Sequence, residues 1–325
     1  MHLSFDPRSP FTRIIRAANK RIPRIYWLLT LAPRLIIGAF WVQWFSRQGL
    51  GQSLRHLDVQ SVRTSDTLFV LATGASINSY DHSRWATIAQ HNSIGMTWFM
   101  LHDFVPDLFV MENMENIHRR LLEMRAEAYQ DVPIILKTQV SNLSISRVKD
   151  RMSNIAQNSE SIRSRFYYSL DVAAAGRTHQ DMYWSYRVLK KMGLFKPRPR
   201  FQLLTKRRGS VTYIINMAVR MGYRRIVLCG VDLNHDNYFY DPKREELEAM
   251  GLPVPPPLAG GSVHPTNDPV KHPVTVKDVI LAMNEITLQP QGIELLVGHN
   301  SSELYPDLPE YEWENGRPLS RNRDD

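Results

Sequence analysis

Lys206 to Asp241 reads KRRGSVTYIINMAVRMGYRRIVLCGVDLNHDNYFYD, and this stretch decides the fold class. Gly209 and Ser210 open it with small, helix-starting residues. Val211, Ile214, Ile215, Ala218 and Val219 then recur at helical spacing. Gly222-Tyr223 ends the helix, and Arg220, Arg224 and Arg225 suit its C-terminal end. Ile226 to Val231 follows as an unbroken apolar run, the pattern of a strand covered on both faces in a parallel sheet. That strand ends at Asp232 in a polar, aromatic loop. Ligands of open α/β sheets sit outside the carboxyl ends of the strands, so Asp232 to Asp241 is the first candidate for a site-forming loop.

Outward from this centre the same alternation repeats. Leu68 to Leu71 is a buried-strand run followed at once by Ala72-Thr73-Gly74-Ala75-Ser76, small residues that let backbone N–H groups approach a phosphate or ribose. A second strand is expected over Thr87–His91, ending at Asn92-Ser93. A third is expected over Leu108–Met111, ending at Glu112-Asn113, then a helix over Met114–Tyr129 and a strand over Val132–Lys137. A helix over Val276–Thr287 and a strand over Gly292–Val297 close the chain. Strands alternating with helices define an α/β, doubly wound, mostly parallel, Rossmann-like sheet. Residues 140–205 are first Ser/Arg-rich and then aromatic, and the aromatic half reads as helix packed beside the sheet. Asp241–Lys271 holds many Pro and Gly residues and reads as a lid.

At 325 residues the chain is long enough for a proper core. The lone Cys229 lies inside the predicted strand and excludes an internal disulfide, which suits a reducing, cytoplasmic setting. The net charge of +8 is uneven. Residues 7 to 57 hold nine Arg/Lys and no Asp or Glu, and the remainder is close to neutral, which argues against nucleic-acid binding by the main domain. The basic segment alternates with Tyr26, Trp27, Trp41 and Trp44, residues that favour a membrane–water interface. Arg34 and Pro33 disfavour a spanning helix, and Arg34 with no cleavage site behind it disfavours a secretory signal. The expectation is residues 1–57 as an amphipathic arm lying on the cytoplasmic face of the inner membrane, with residues 58–325 as the globular domain. A helical arm for homo-oligomer formation or core packing is the alternative.

Four segments resemble the bacterial sialyltransferase-like proteins of glycosyltransferase family 42 and the related lipopolysaccharide-core Kdo transferases: FVLATGASINSYDHSRW (69–85), HNSIG (91–95), RRGSVTYIINMAVRMGYRRIVLCGVDL (207–233), and YFYD (238–241) with the His264 and His272 region behind it. Thr73 stands where that family has Asn, and Asn234 where it has a first tyrosine. The resemblance implies an inverting glycosyltransferase that moves a sialic acid or Kdo-like ulosonic acid from a CMP-sugar to a surface glycan or glycolipid, without a metal. Such a step needs the nucleotide held, the leaving phosphate stabilised and the acceptor hydroxyl deprotonated. Tyr238 and Tyr240 supply phenolic donors, Tyr238 matching the family position. His272 ranks first as base and His264 second, with His235 in the same neighbourhood. Thr73, Gly74, Ser76, Asn92, Asn113, Gly209, Ser210, Asp232 and Asn234 are the donor-binding candidates. Plain N-capping by Ser210 and an Asx turn at Asn92 are the competing structural roles. Asp232 and Asp236 are spaced like a metal pair, and Mg²⁺ there would fit a second function, an ATP-dependent pyrophosphokinase-like enzyme. A non-catalytic membrane adaptor is the third.

Overall fold

The structure, a computed structural model, describes residues 23–112, 115–137, 153–174, 178–234, 237–257, 264 and 266–313. Nine strands form its sheet: β1 (Gln52–Ser53), β2 (Thr67–Leu71), β3 (Asn92–Met96), β4 (Leu108–Met111), β5 (Ile134–Lys137), β6 (Phe166–Ala173), β7 (Leu203–Lys206), β8 (Arg225–Cys229) and β9 (Glu294–Val297). Every pairing between them is parallel. The order is β1-β6-β5-β4-β3-β2-β8-β9, with β7 also on β6. β1 pairs Tyr167–Tyr168 and β7 pairs Leu170–Ala173, so two short strands share one edge of β6. The chain winds outward from β2 through β3 to β6 and then returns to β2's other side as β8. The switch point of this doubly wound fold is therefore the β2–β8 junction.

Among the described residues, the helices of six residues or more around the sheet are α1 (Pro23–Arg47), α2 (His82–Ala89), α3 (Asn116–Met124), α4 (His179–Lys191), α5 (Ser210–Met221), α6 (Arg244–Ala249) and α7 (Val276–Met283). Strand alternation divides the core in two. Leu68 and Val70 of β2 and Ile226 and Leu228 of β8 face α4, α5 and α7. Phe69, Leu71, Val227 and Cys229 face the opposite layer with Ile88, Leu121 and Leu122. Helix α5 is buried along its whole length. Its Asn216 accepts from the Thr205 amide at 2.9 Å and donates to Leu194 O at 2.8 Å, which fixes the helix against β7. Gly222 ends it in the left-handed region, φ 91°. Burial pushes the Cys229 thiol up to about 12, consistent with a core residue.

The sequence expectations differ from this in three places. Thr87–His91 lies mostly in α2, whose N-cap Asp81 accepts from the Arg84 amide at 2.9 Å; the strand starts at Asn92. The aromatic half of 140–205 was expected to be helical, but Phe166–Ala173 forms β6, and only its later part, from His179, is helix. Phe166, Tyr168 and Leu170 alternate inward there, a period-two signal hidden by the aromatic run. The third concerns residues 1–57. Within their described part, Trp27, Val42, Phe45, Leu50, Leu54 and Leu57 belong to the two cores and β1 pairs with β6. Residue 57 therefore does not separate a detachable arm from the domain.

Candidate functional site

A cavity of about 230 Å³ opens at the switch point. Ala72, Thr73 and Gly74 from the end of β2 form one wall, and Gly230 to Leu233 from the end of β8 form the adjoining one. Glu112 from the end of β4, Arg208 to Val211 at the start of α5, and Tyr238, His264 and Thr266 complete the lining.

The first two walls are welded together. Gly74 N–H donates to Gly230 O at 2.8 Å, and Ala72 N–H to Cys229 O at 2.8 Å. A Cβ on Gly74 would lie 2.4 Å from Asp232 Oδ2 and 2.6 Å from Gly230 O, so only glycine permits this approach. Asp232 accepts from Ser76 N at 2.9 Å and Ser76 Oγ at 2.5 Å. Its carboxylate clamps the β2 turn onto β8. The loop bearing Tyr238 joins the same assembly: Gly74 and Tyr238 form an antiparallel bridge, and Phe239 N–H donates to Thr73 O at 3.0 Å. Tyr238 N–H donates to Asp241 Oδ2 at 2.7 Å. The Tyr238 ring is thus held by backbone to the sheet.

His264 meets the Tyr238 ring edge-to-face, with centroids 6.5 Å apart. Its Nδ1 lies 2.9 Å from Thr266 Oγ1. The Thr266 N–H donates to the same Nδ1 at 3.3 Å, so Nδ1 is the accepting nitrogen of the neutral ring and Nε2 carries its proton. His272 does not line the cavity. It is half-buried near Arg208, and burial together with that guanidinium lowers its pKa. Of the two histidines, His264 alone lines the cavity.

Ser210 is also placed differently from a simple cap. Gly209 is the N-cap residue, and Ser210 is the first residue of α5. The Ser210 hydroxyl donates to Glu112 Oε2 and accepts from Lys137 Nζ at 2.8 Å. Lys137 is wholly buried, 3.4 Å from Glu112 Oε2, and its ammonium sits 4.9 Å from the Tyr213 ring centroid. Lys206 reaches Glu112 Oε1 at 3.0 Å. Burial alone would raise the Glu112 pKa, but Lys137, Lys206 and the Ser210 hydroxyl together hold it down to about 2. Burial pulls Lys137 down to about 8 against the opposing pull of Glu112. Because the Glu112 pKa is depressed from 4.5, its contribution to stability is complete above pH 4.5 and is lost as pH falls toward about 2. Urea unfolding midpoints should accordingly fall more steeply across that window in the wild type than in Glu112→Gln; parallel declines would show that the carboxylate is not held as described.

Thr73, Gly74, Gly209, Ser210, Asp232, Tyr238 and His264 are thus gathered around one cavity, and Ser76 supports it through Asp232. Besides His272, three candidates lie elsewhere. Asn92 begins β3, at the amino end of the sheet, where its amide group binds Val62 O, Thr64 and the Ser65 amide; it pins a turn far from the strand ends that form the cavity. Tyr240 is buried behind Tyr238, with ring centroids 5.2 Å apart, and desolvation raises its pKa. Asn234 donates to Ser301 O at 2.8 Å rather than lining the cavity. Asn113, His235 and Asp236 lie outside the described residues. Among the described residues, no group of three or more His, Cys, Asp or Glu side chains converges. The residues that the sequence reading missed are Glu112, Lys137 and Lys206 as a cluster. Each is a charge that ends an apolar strand run, and that shared position was the available signal.

The chain is thus a doubly wound α/β protein with a cavity at its topological switch point. No protein-family model matches the sequence, and no curated protein matches it. Among solved structures it is similar to the sialyltransferase CstII from Campylobacter jejuni, in complex with the substrate analogue CMP-3FNeuAc, at a TM-score of 0.45 and 14% identity over 78% of this chain and 89% of that one. It is also similar to the monofunctional alpha-2,3-sialyltransferase Cst-I from the same organism, at a TM-score of 0.44 and 13% identity over 78% and 82% of the two chains. Likeness at this level assigns no residue a role.

Proposed function

We propose that the chain is an inverting glycosyltransferase that moves a sialic acid or Kdo-like ulosonic acid from its CMP-activated form to a glycan or glycolipid acceptor. The observation that supports this reading is convergence. The β2 turn, the start of α5, the β8 end, Tyr238 and His264 come from segments that resemble one glycosyltransferase family, and they line a single cavity.

In this reading the Thr73–Gly74 backbone faces the nucleotide. The α5 N-terminus, with no side-chain cap on its first amides, takes the donor carboxylate. The acceptor oxygen forms its bond to the anomeric carbon as the bond from that carbon to the phosphate oxygen breaks. The acceptor proton passes to the His264 imidazole, and CMP leaves with the bonding electron pair. Tyr238 O–H donates to the phosphate oxygen as negative charge develops on it, a neutral donor placed in advance on a rigid support.

A thermal-shift comparison tests the donor. Without added metal, CMP should raise the melting temperature more than UDP or ATP, since a ligand bound by the native state stabilises in proportion to ln(1 + [L]/Kd). Equal or larger stabilisation by Mg-ATP would replace this reading with the pyrophosphokinase-like one. No response to any nucleotide would favour the adaptor.

A further inference from the structure

Helix α1 has two unlike faces. Along one, Trp27, Val42 and Phe45 are 5%, 2% and 3% exposed. Trp27 Nε1–H donates to Ala173 O at 2.6 Å, and its ring meets Trp184 edge-on at 5.8 Å. Leu170 fits against Gly38, where an added Cβ would be only 3.0 Å from Leu170 Cδ2. Phe45 lies 4.9 Å from the Tyr168 ring centroid. The helix therefore runs antiparallel to β6 and packs against it from Ala173 back to Tyr168. Along the other face Ile25, Leu28, Leu29, Ile36, Ile37 and Phe40 are exposed, with Leu29 at 71% and Ile36 at 70%. Ala32 and Pro33 fill the gap between them. This unpartnered apolar stripe is about 22 Å long at 1.5 Å per residue.

We infer that this outer face of α1 is a membrane-docking surface that lies in the plane of a bilayer rich in anionic phospholipid. The stripe is the kind of contiguous apolar patch that marks an interaction surface. Charge selects lipid over a protein partner. The sequence before the helix carries Arg8, Arg13, Arg16, Lys20 and Arg21, and residues 7–57 contain no acidic side chain; such a segment is drawn to anionic headgroups. Length and apolarity alone would also allow α1 to span. Its inner face excludes that, because a spanning α1 would have to leave β6 or draw the sheet edge into hydrocarbon, where open strand edges are not tolerated. Trp27 reaches the carboxyl end of β6, the same side of the sheet as the cavity, so the docked protein holds its cavity toward the end of α1 nearest the basic segment. The inference does not depend on the donor assignment.

The test uses the full chain and preformed vesicles of phosphatidylcholine with and without phosphatidylglycerol. Wild type should cosediment with the anionic vesicles and transfer to unlabelled vesicles on mixing. The triple variant Leu29→Glu/Ile36→Glu/Phe40→Glu should lose at least about tenfold in partitioning, given what burial of each such side chain contributes. Its melting temperature and nucleotide response should be unchanged, because all three side chains face solvent. Vesicle binding by the variant equal to wild type would overturn the inference. So would a wild-type dimer that the variant dissociates while neither form binds vesicles, since the face would then belong to a second copy. Wild type that never transfers between vesicles would overturn the in-plane geometry.

Discussion

Replacing His264 by alanine is expected to lower turnover by on the order of 10²–10⁴-fold, the usual contribution of a general base. CMP binding should be nearly unchanged. The imidazole lines the cavity beside Tyr238, while the proposed nucleotide contacts, Thr73, Gly74 and the α5 N-terminus, come from other segments. Thr266 holds the ring through its amide and its hydroxyl, both against Nδ1, and Thr266→Val removes only the hydroxyl contact, so it should lose a smaller part of the rate. His272→Ala should stay near full activity, because His272 stands outside the cavity lining. Single-turnover kinetics with a CMP-sugar, paired with CMP titration by calorimetry, separates the steps. An inactive His272→Ala beside an active His264→Ala would return the base to His272. Near-full activity in both variants would remove histidine from the proton transfer and with it the mechanism proposed above.

Glu112→Gln is expected to destabilise the fold by about 3–5 kcal/mol, the cost of stranding one charge of a buried pair. Lys137 is wholly enclosed and Lys206 lies on the far side of the same carboxylate. Without Glu112, two ammonium groups would face each other with their shared counter-charge gone. Lys137→Met removes the enclosed cation and leaves Glu112 bonded to Lys206 and Ser210, so it should cost far less. The double variant should approach Lys137→Met alone, giving a large coupling energy in a double-mutant cycle. Lys137 already titrates near 8 rather than 10.5. In Glu112→Gln its folded pKa falls further, so the unfolded chain binds the extra proton over a wider range. The variant's stability should therefore rise with pH up to 10.5, and its deficit should narrow only up to about pH 8, above which the wild type gains in parallel. Urea unfolding of the four proteins across pH measures this. Additive single-variant effects would mean that the two side chains do not share one buried site.

The parts of the molecule that could be read from sequence are those with one strong local signal. Val211 to Val219 and Ile226 to Val231 announce a buried helix and a two-faced buried strand, and both are present at α5 and β8. Ala72 to Ser76 announces a close backbone approach, and Gly74 makes one. The missed parts depend on contacts distant in the chain. Strand β1 is two residues long and exists because Tyr167 and Tyr168 offer it an edge. Strand β6 hid within an aromatic run whose composition suits helix or strand. Asn92 carried the right residue type for a donor contact, but its strand begins there instead of ending. That shift transfers it to the opposite end of the sheet. The placement of His264 against His272 turns on how the lid folds back, which residue spacing in a Pro- and Gly-rich segment does not encode.

The bridge between Gly74 and Tyr238 gives the cavity two independent foundations. Tyr238 is anchored by its bridge to Gly74, by its amide on Asp241 and by the neighbouring Phe239 amide on Thr73 O, all placed before the lid begins its excursion. His264 rests on Thr266, and the following Asn267 reaches Glu303 at 2.7 Å, on the other side of that excursion. A change in lid length or composition therefore moves the histidine side of the cavity without dislodging the tyrosine. The half of the cavity that would grip a leaving group is part of the sheet's own scaffold, and the half that would meet an incoming one is an exchangeable fitting. A lineage built on this plan can vary what it modifies while keeping intact how it holds what it gives away.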